Sequence, residues 1–246
     1  MISVCMAAYN GEKYIKAQIE SILSQLNKED ELVISDDGST DFTVQIIEEI
    51  KDERVKLFHN NAHSYTRNFE NAILHAAGDY ILLSDQDDVW LENKVQEIIN
   101  TFKREKCDMI LTDAIVVDKN LKIIYPSYFN YCKIKKGFWV NFIHTRYIGA
   151  CMAFNKKLKE NILPFPSNDR FISHDYWITC VAEMKYHTFL LEKPLLLYRR
   201  HDNNVSLGVE MKSNHPITER VLKRFYMFGC LVSFIMKPKK CRNGEL

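Results

Sequence analysis

The chain alternates short apolar runs with apolar positions at helical spacing. Residues 2–7 read as a first strand, ending in Ala8-Tyr9-Asn10-Gly11. Ile15, Ile19, Ile22, Leu23 and Leu26 then share one helical face, which predicts a helix. Residues 32–34 predict a second strand that runs into Ser35-Asp36-Asp37-Gly38-Ser39-Thr40-Asp41, and Val44, Ile47 and Ile50 mark a helix beyond it. Residues 55–58 form a third strand, followed by a helix that carries Phe69, Ile73, Leu74 and Ala77 and closes at Gly78. Residues 80–84 are a fourth strand, and residues 91–106 a helix. Such alternation calls for an α/β fold, a mostly parallel central sheet with helices on both faces.

The second half is less regular. Strands are expected at 109–112, 115–117, 121–125, 148–154, 189–191 and 195–198. Residues 126–144 are aromatic-rich without a clear period, and Gly149-Ala150 interrupts the strand that contains them. Residues 169–174 read as a polar loop, with Asp175 heading a helix over 176–185.

Composition changes this picture little. With 246 residues, 46% apolar and 26% charged, the chain can bury a sizeable core. A net charge of +1 makes no global case for nucleic acid. Seven cysteines without a C-x-x-C pair point to reduced thiols. No leader-like start and no apolar run of ~20 residues is present, so a cytoplasmic location is expected.

The chemistry concentrates at strand ends. Ser84-Asp85-Gln86-Asp87-Asp88-Val89-Trp90 follows the fourth strand, and alternation sets Asp85 and Asp87 on one side. Two such carboxylates suit a divalent oxygen-loving cation, Mg²⁺ or Mn²⁺. A lone D-x-D also serves as a turn that caps a helix. Here, however, acidic or polar loops follow the first, second and fourth strands and share one sheet edge, where open α/β sheets bind ligands. The dispersed glycines give no phosphate cradle, so a bound diphosphate would need a metal. Asp37 suits the imide N–H of a pyrimidine base, and Tyr9 could stack on it. Both residues also fit plain turn or strand-end roles. Of the nearby basic residues His59 and Arg67, Arg67 is the better phosphate candidate, reaching across from a polar loop before a helix.

Ala7-Ala8-Tyr9-Asn10-Gly11, Asp36-Asp37-Gly38-Ser39-Thr40-Asp41 and the Ser84–Trp90 motif together resemble family 2 glycosyltransferases of the GT-A fold. His174-Asp175-Tyr176-Trp177 and Tyr198-Arg199-Arg200-His201-Asp202-Asn203-Asn204 resemble the bacterial rhamnosyltransferase-like branch. The resemblance implies that Asp37 and Tyr9 hold the nucleotide base, that Asp85 approaches the ribose and that His201 sits near the diphosphate or metal; with Ala7, Arg67 and Arg200 they make up the expected donor site. It implies metal ligation by Asp87 with Asp85 and His201, and Asp175 as catalytic base. The implied reaction is inverting transfer of one sugar per binding event onto a surface polysaccharide or lipid-linked glycan. L-rhamnose from dTDP-L-rhamnose is the first expectation. A UDP-hexose donor, or a non-catalytic binding descendant of the fold, is the alternative. Tyr176 and Arg200 depart from the branch pattern at positions that bear on sugar choice.

On this reading residues 1–208 form the catalytic domain, with a nucleotide-sugar half (1–106) and an acceptor half (107–208). Residues 209–246 form a helical tail with eight Lys/Arg and three Glu, which flank an apolar stretch over 225–236. That pattern suits a helix lying on the inner face of a membrane, or one packed on the domain.

Overall fold

The computed structural model describes residues 1–201 and 216–236. The ends of two sequence features, Asp202-Asn203-Asn204 and the tail residues 209–215 and 237–246, lie outside the described residues.

The first half follows the predicted alternation: β1 (Ile2–Ala8), α1 (Ile15–Leu23), β2 (Glu31–Asp36), α2 (Thr43–Glu49), β3 (Val55–His59), α3 (Tyr65–His75) and β4 (Tyr80–Asp85). These strands pair in parallel in the order β3-β2-β1-β4. Ile81, Leu82 and Leu83 of β4 are fully buried. Each contributes roughly 1.5–3 kcal/mol of apolar burial, which explains the unbroken apolar run of a strand covered on both faces.

A two-residue strand, β5 (Val89–Trp90), precedes α4 (Lys94–Glu105). The expected helix over 91–106 therefore starts three residues late. The second half contributes β6 (Met109–Val117), β7 (Ile123–Tyr125), β8 (Met152–Asn155) and β9 (Thr188–Arg199). The full order is β3-β2-β1-β4-β8-β6-β9-β5, with β7 on β6. β1, β2, β3, β4, β6 and β9 run one way, and β5, β7 and β8 the other. The sheet is thus mixed in its pairing but mostly parallel in direction, with an α/β layering as expected.

Four readings of the second half are corrected. The strands expected at 109–112 and 115–117 are one strand, as are those at 189–191 and 195–198. In both cases the break is a bulge where Asp113 stands opposite Pro194. Proline cannot donate to the ladder, and the Asp113 carboxylate turns away to accept from Ala114 N at 2.7 Å, Phe129 N at 2.8 Å and Ser127 Oγ at 2.6 Å. The aromatic stretch holds two short helices, α5 (Tyr128–Cys132) and α6 (Phe138–His144). Gly149–Cys151 form a 3-10 turn before β8, not a strand. A polar helix, α7 (Lys156–Ile162), follows with Asn155 as its cap.

Last come α8 (His174–Lys185) and α9 (Ile217–Met236). α9 buries Met227, Leu231 and Phe234 against the domain, and its opposite side is exposed and largely apolar. The tail helix therefore packs on the domain with one face only. Among the described residues no helix is long and apolar enough to cross a membrane. Among the described residues no disulfide joins the six cysteines.

Candidate active site

Parallel register brings the strand ends together. Ala7 lies beside Asp85, and Ala8 beside Asp36. Gln86 locks the first and fourth loops, accepting from Tyr9 N at 2.9 Å and donating to the Tyr9 carbonyl at 2.8 Å. An added Cβ at Gly11 would push the Gln86 amide out of this pair of bonds. The first and second loops are tied likewise: Ser39 Oγ accepts from Asn10 N at 2.9 Å, and Asn10 Oδ1 from Thr40 N at 2.8 Å.

Oxygens of Asp85, Asp87 and Asp88 lie within 4.8 Å of one another. The strand ends at Asp85, so alternation does not extend into the turn, and Asp88 joins the pair that the sequence suggested. Asp88 is fully buried; it accepts from Arg199 N at 2.9 Å, and its Oδ2 has no partner among the described residues. His201 Nε2 stands 2.8 Å from Asp87 Oδ2. Burial, then the charges of Asp87 and Asp175, push Asp85 up to about 7. Burial, then Asp87 and Asp85, push Asp88 well above the usual carboxylate range. Three crowded carboxyl groups with a buried, unpartnered oxygen are a hard-ligand set that fits a divalent cation.

Several supporting side chains escaped the sequence reading. Lys94 is buried, donates to the Ala150 carbonyl at 3.1 Å and lies over the Trp90 ring at 4.3 Å. Burial brings it down to about 8, while Cys151, Asp88 and Asp85 oppose that shift. Its place among apolar helix positions was the available signal. Tyr14, just before α1, stacks on His201 at 5.0 Å and carries the Arg199 guanidinium at 4.5 Å. Arg199 also donates to the Asp87 carbonyl at 2.7 Å, fixing the acidic turn to the end of β9.

Asp175 sits in the first turn of α8, accepting from Tyr176 N at 2.7 Å and from the Ser173 hydroxyl. Its charge reaches both Asp85 and Tyr65. Arg200 lies near Tyr198, and its charge favours ionised Asp85. His174 is buried between Phe69 and Gly149, stacked on the Phe69 ring at 4.1 Å, and burial keeps it below the usual histidine range. The Tyr176 hydroxyl donates to the Phe142 carbonyl at 2.7 Å and so braces α6.

Tyr9 is half exposed beside these groups. Two other candidates are engaged elsewhere. Asp37 is buried, and its carboxylate accepts from Ala62 N at 2.8 Å, His63 N at 3.1 Å and Ser64 N at 2.6 Å. Arg67 lies inside α3, not in the loop before it, which corrects the expected placement. Its guanidinium pairs with Glu70 at 2.5 Å and donates to the Pro166 carbonyl.

Residues 3–163 match the family described as glycosyl transferase family 2. The chain is 26% identical over 239 residues to the dTDP-rhamnosyl transferase RfbG of Shigella flexneri, covering 90% of this chain and 80% of that one. It is 35% identical over 146 residues to the UDP-Glc:alpha-D-GlcNAc-diphosphoundecaprenol beta-1,3-glucosyltransferase WfaP of Escherichia coli, covering 54% of this chain and 57% of that one. Against that relative the chain thus spans little more than half the length. The crystal structure of S. aureus TarS 1-349 in complex with UDP-GlcNAc superposes with a TM-score of 0.71 at 20% identity, over 97% of this chain and 67% of that one. With its mixed sheet and its acidic turn after β4, the chain belongs to glycosyl transferase family 2 and has the GT-A fold.

Proposed function

We propose that the chain transfers a single sugar, with inversion, from a nucleotide diphosphate donor to a glycan hydroxyl. The convergence of Asp85, Asp87, Asp88 and His201, with the Asp175 charge acting on Asp85, carries this reading. Asp87, with Asp85 and His201, would hold Mg²⁺ or Mn²⁺, whose charge offsets that of the departing diphosphate. Asp175 takes the proton of the attacking acceptor hydroxyl, held toward the site by Ser173 and the first turn of α8. Arg200 adds positive charge on the leaving-group side. The half-exposed Tyr9 ring offers a stacking face for the base, and Ala7 lies against the ribose side next to Asp85. Asp37 borders the base and holds the 62–64 backbone there. Arg67 positions the 165–166 segment through Glu70, which accepts from Phe165 N at 2.6 Å.

The likeness to RfbG favours dTDP-L-rhamnose as donor, and the likeness to WfaP favours a UDP-hexose and a lipid-linked acceptor. Calorimetric titration with dTDP and UDP, with Mn²⁺ and then EDTA, tests the reading. Metal-dependent binding of one nucleotide is expected and names the base. Binding of neither would leave a glycan-binding descendant of the fold as the better account.

A further inference from the structure

The exposed apolar side of α9 does not stand alone. α6 turns Phe138 and Phe142 inward and leaves Trp139 (68% exposed), Val140 and Ile143 on the surface. The two helices meet where the Arg224 guanidinium donates to the Ile143 carbonyl. On α9, Phe228 stands one turn beyond Arg224 on the same side, with Phe225 (71% exposed) next to it, and Leu222 is exposed further round the helix. Arg220 and Arg224 of α9, with Arg146 behind them on the Cys132 carbonyl, all act electrostatically on His144 at the end of α6, so positive charge gathers beside the junction. The one acidic side chain of α6 and α9, Glu219, is engaged, and so is Glu183 of the neighbouring α8. Glu219 pairs with Lys223 at 3.6 Å, and Glu183 accepts from Gly137 N at 2.9 Å and Tyr147 Oη at 2.7 Å.

We propose that α6 and α9 form one docking surface for an anionic lipid bilayer, with Trp139 as its anchor outside the tail. Exposed aromatic and aliphatic side chains on two adjacent helices, rimmed by arginines, match a layer of apolar chains under negative headgroups. A two-fold contact between copies of this chain would set the same arginines near one another, which disfavours that occupant. In the sequence α9 is followed by four more cations, Lys237, Lys239, Lys240 and Arg242, outside the described residues. This surface deepens the proposed function, because a lipid-linked acceptor is presented at a bilayer, and it rests on that reading for its purpose alone.

The three tryptophans provide the test, since Trp90 and Trp177 are buried and Trp139 is not. Adding phosphatidylglycerol–phosphatidylcholine vesicles to the full chain should shift tryptophan emission to the blue. Brominated lipid should quench it, and phosphatidylcholine alone or about 0.5 M salt should largely abolish the response. Trp139→Ala and Phe225→Ser should each weaken vesicle partitioning about tenfold. Arg220→Glu should weaken it at least about fivefold. Nucleotide titration of the same samples should be unchanged, so that docking and donor binding can fail separately. Vesicle binding without a change in Trp139 emission would overturn the two-helix surface. Failure to bind anionic vesicles, or a lipid-free dimer that gives the same blue shift, would overturn it as well.

Discussion

The two halves of the sheet hold their site residues by different means. In the first, Asp85 and Asp36 stand at the ends of the two parallel strands that flank β1, and side chain-to-backbone bonds tie their loops to the loop after β1. Displacing one carboxylate there means slipping a ladder register, which would turn a buried strand inside out. In the second half, Asp175 hangs on the first turn of one helix, and His201 follows a strand that bulges at Pro194. The acidic turn is thus preorganised by long-range pairing, whereas its opposing groups depend on local caps and on contacts such as Arg199 to Asp87. A fold built this way can vary the loops of its second half without slipping the register that sets Asp85.

Removing one residue from each half tests that division. Asp87→Ala should lower metal-dependent nucleotide affinity about 10³-fold or more, read by calorimetry. Normal affinity in that variant would break the comparison, because the first half would not hold the donor. Asp175→Asn should lower turnover about 10²- to 10⁴-fold while nucleotide affinity stays within a few-fold of the parent. If affinity fell as far as turnover, Asp175 would belong with the donor groups. Asp37 sharpens the first half further. Asp37→Ala leaves three backbone N–H groups without their acceptor and should cost about 2–3 kcal/mol in thermal or urea unfolding. Asp37→Asn should cost less and keep the choice between pyrimidine and purine nucleotides. A change in that choice at unaltered stability would make Asp37 a base contact before a loop anchor.

The difference between the halves also decided what the sequence revealed. β1, β2 and β4 are largely apolar runs, and β2 and β4 end in Ser-Asp, so the strands and the edge that gathers their carboxylates were legible. In β6 Asp113 and in β9 Glu192-Lys193-Pro194 break the runs at the same level of the sheet, and each strand read as two. α5 and α6 are five and seven residues long, too short to show a period. The Ser127 cap and the left-handed Gly137 were the signals left. Asp85, Asp87, Asp175 and His201 were visible because their motifs are compact in sequence. Asp88, Lys94 and Tyr14 acquire their places only from tertiary packing. The Arg67–Glu70 pair is a local i,i+3 contact, but Asp37 is held by backbone 25 to 27 residues away and Arg67 reaches the Pro166 carbonyl 99 residues away, which no local pattern encodes.

The smallest effect expected couples the two halves directly. Burial and the charges of Asp87 and Asp175 place Asp85 up to about 7, so below that pH its carboxyl is protonated before a cation arrives. Binding the cation must then expel the proton, and affinity should fall about tenfold for each pH unit below the midpoint. Above it the carboxylate is already ionised, and affinity should level off. Asp175→Asn removes one of the negative charges that disfavour ionised Asp85, so the midpoint should move to lower pH. Calorimetric titration of Mn²⁺ with UDP or dTDP between about pH 5 and 8 reads both slope and midpoint. An unmoved midpoint would mean that solvent screens Asp175 from the acidic turn, and that the halves meet only through the substrate. A lowered midpoint with an unchanged plateau would mean that the Asp175 charge tunes the donor site without belonging to it.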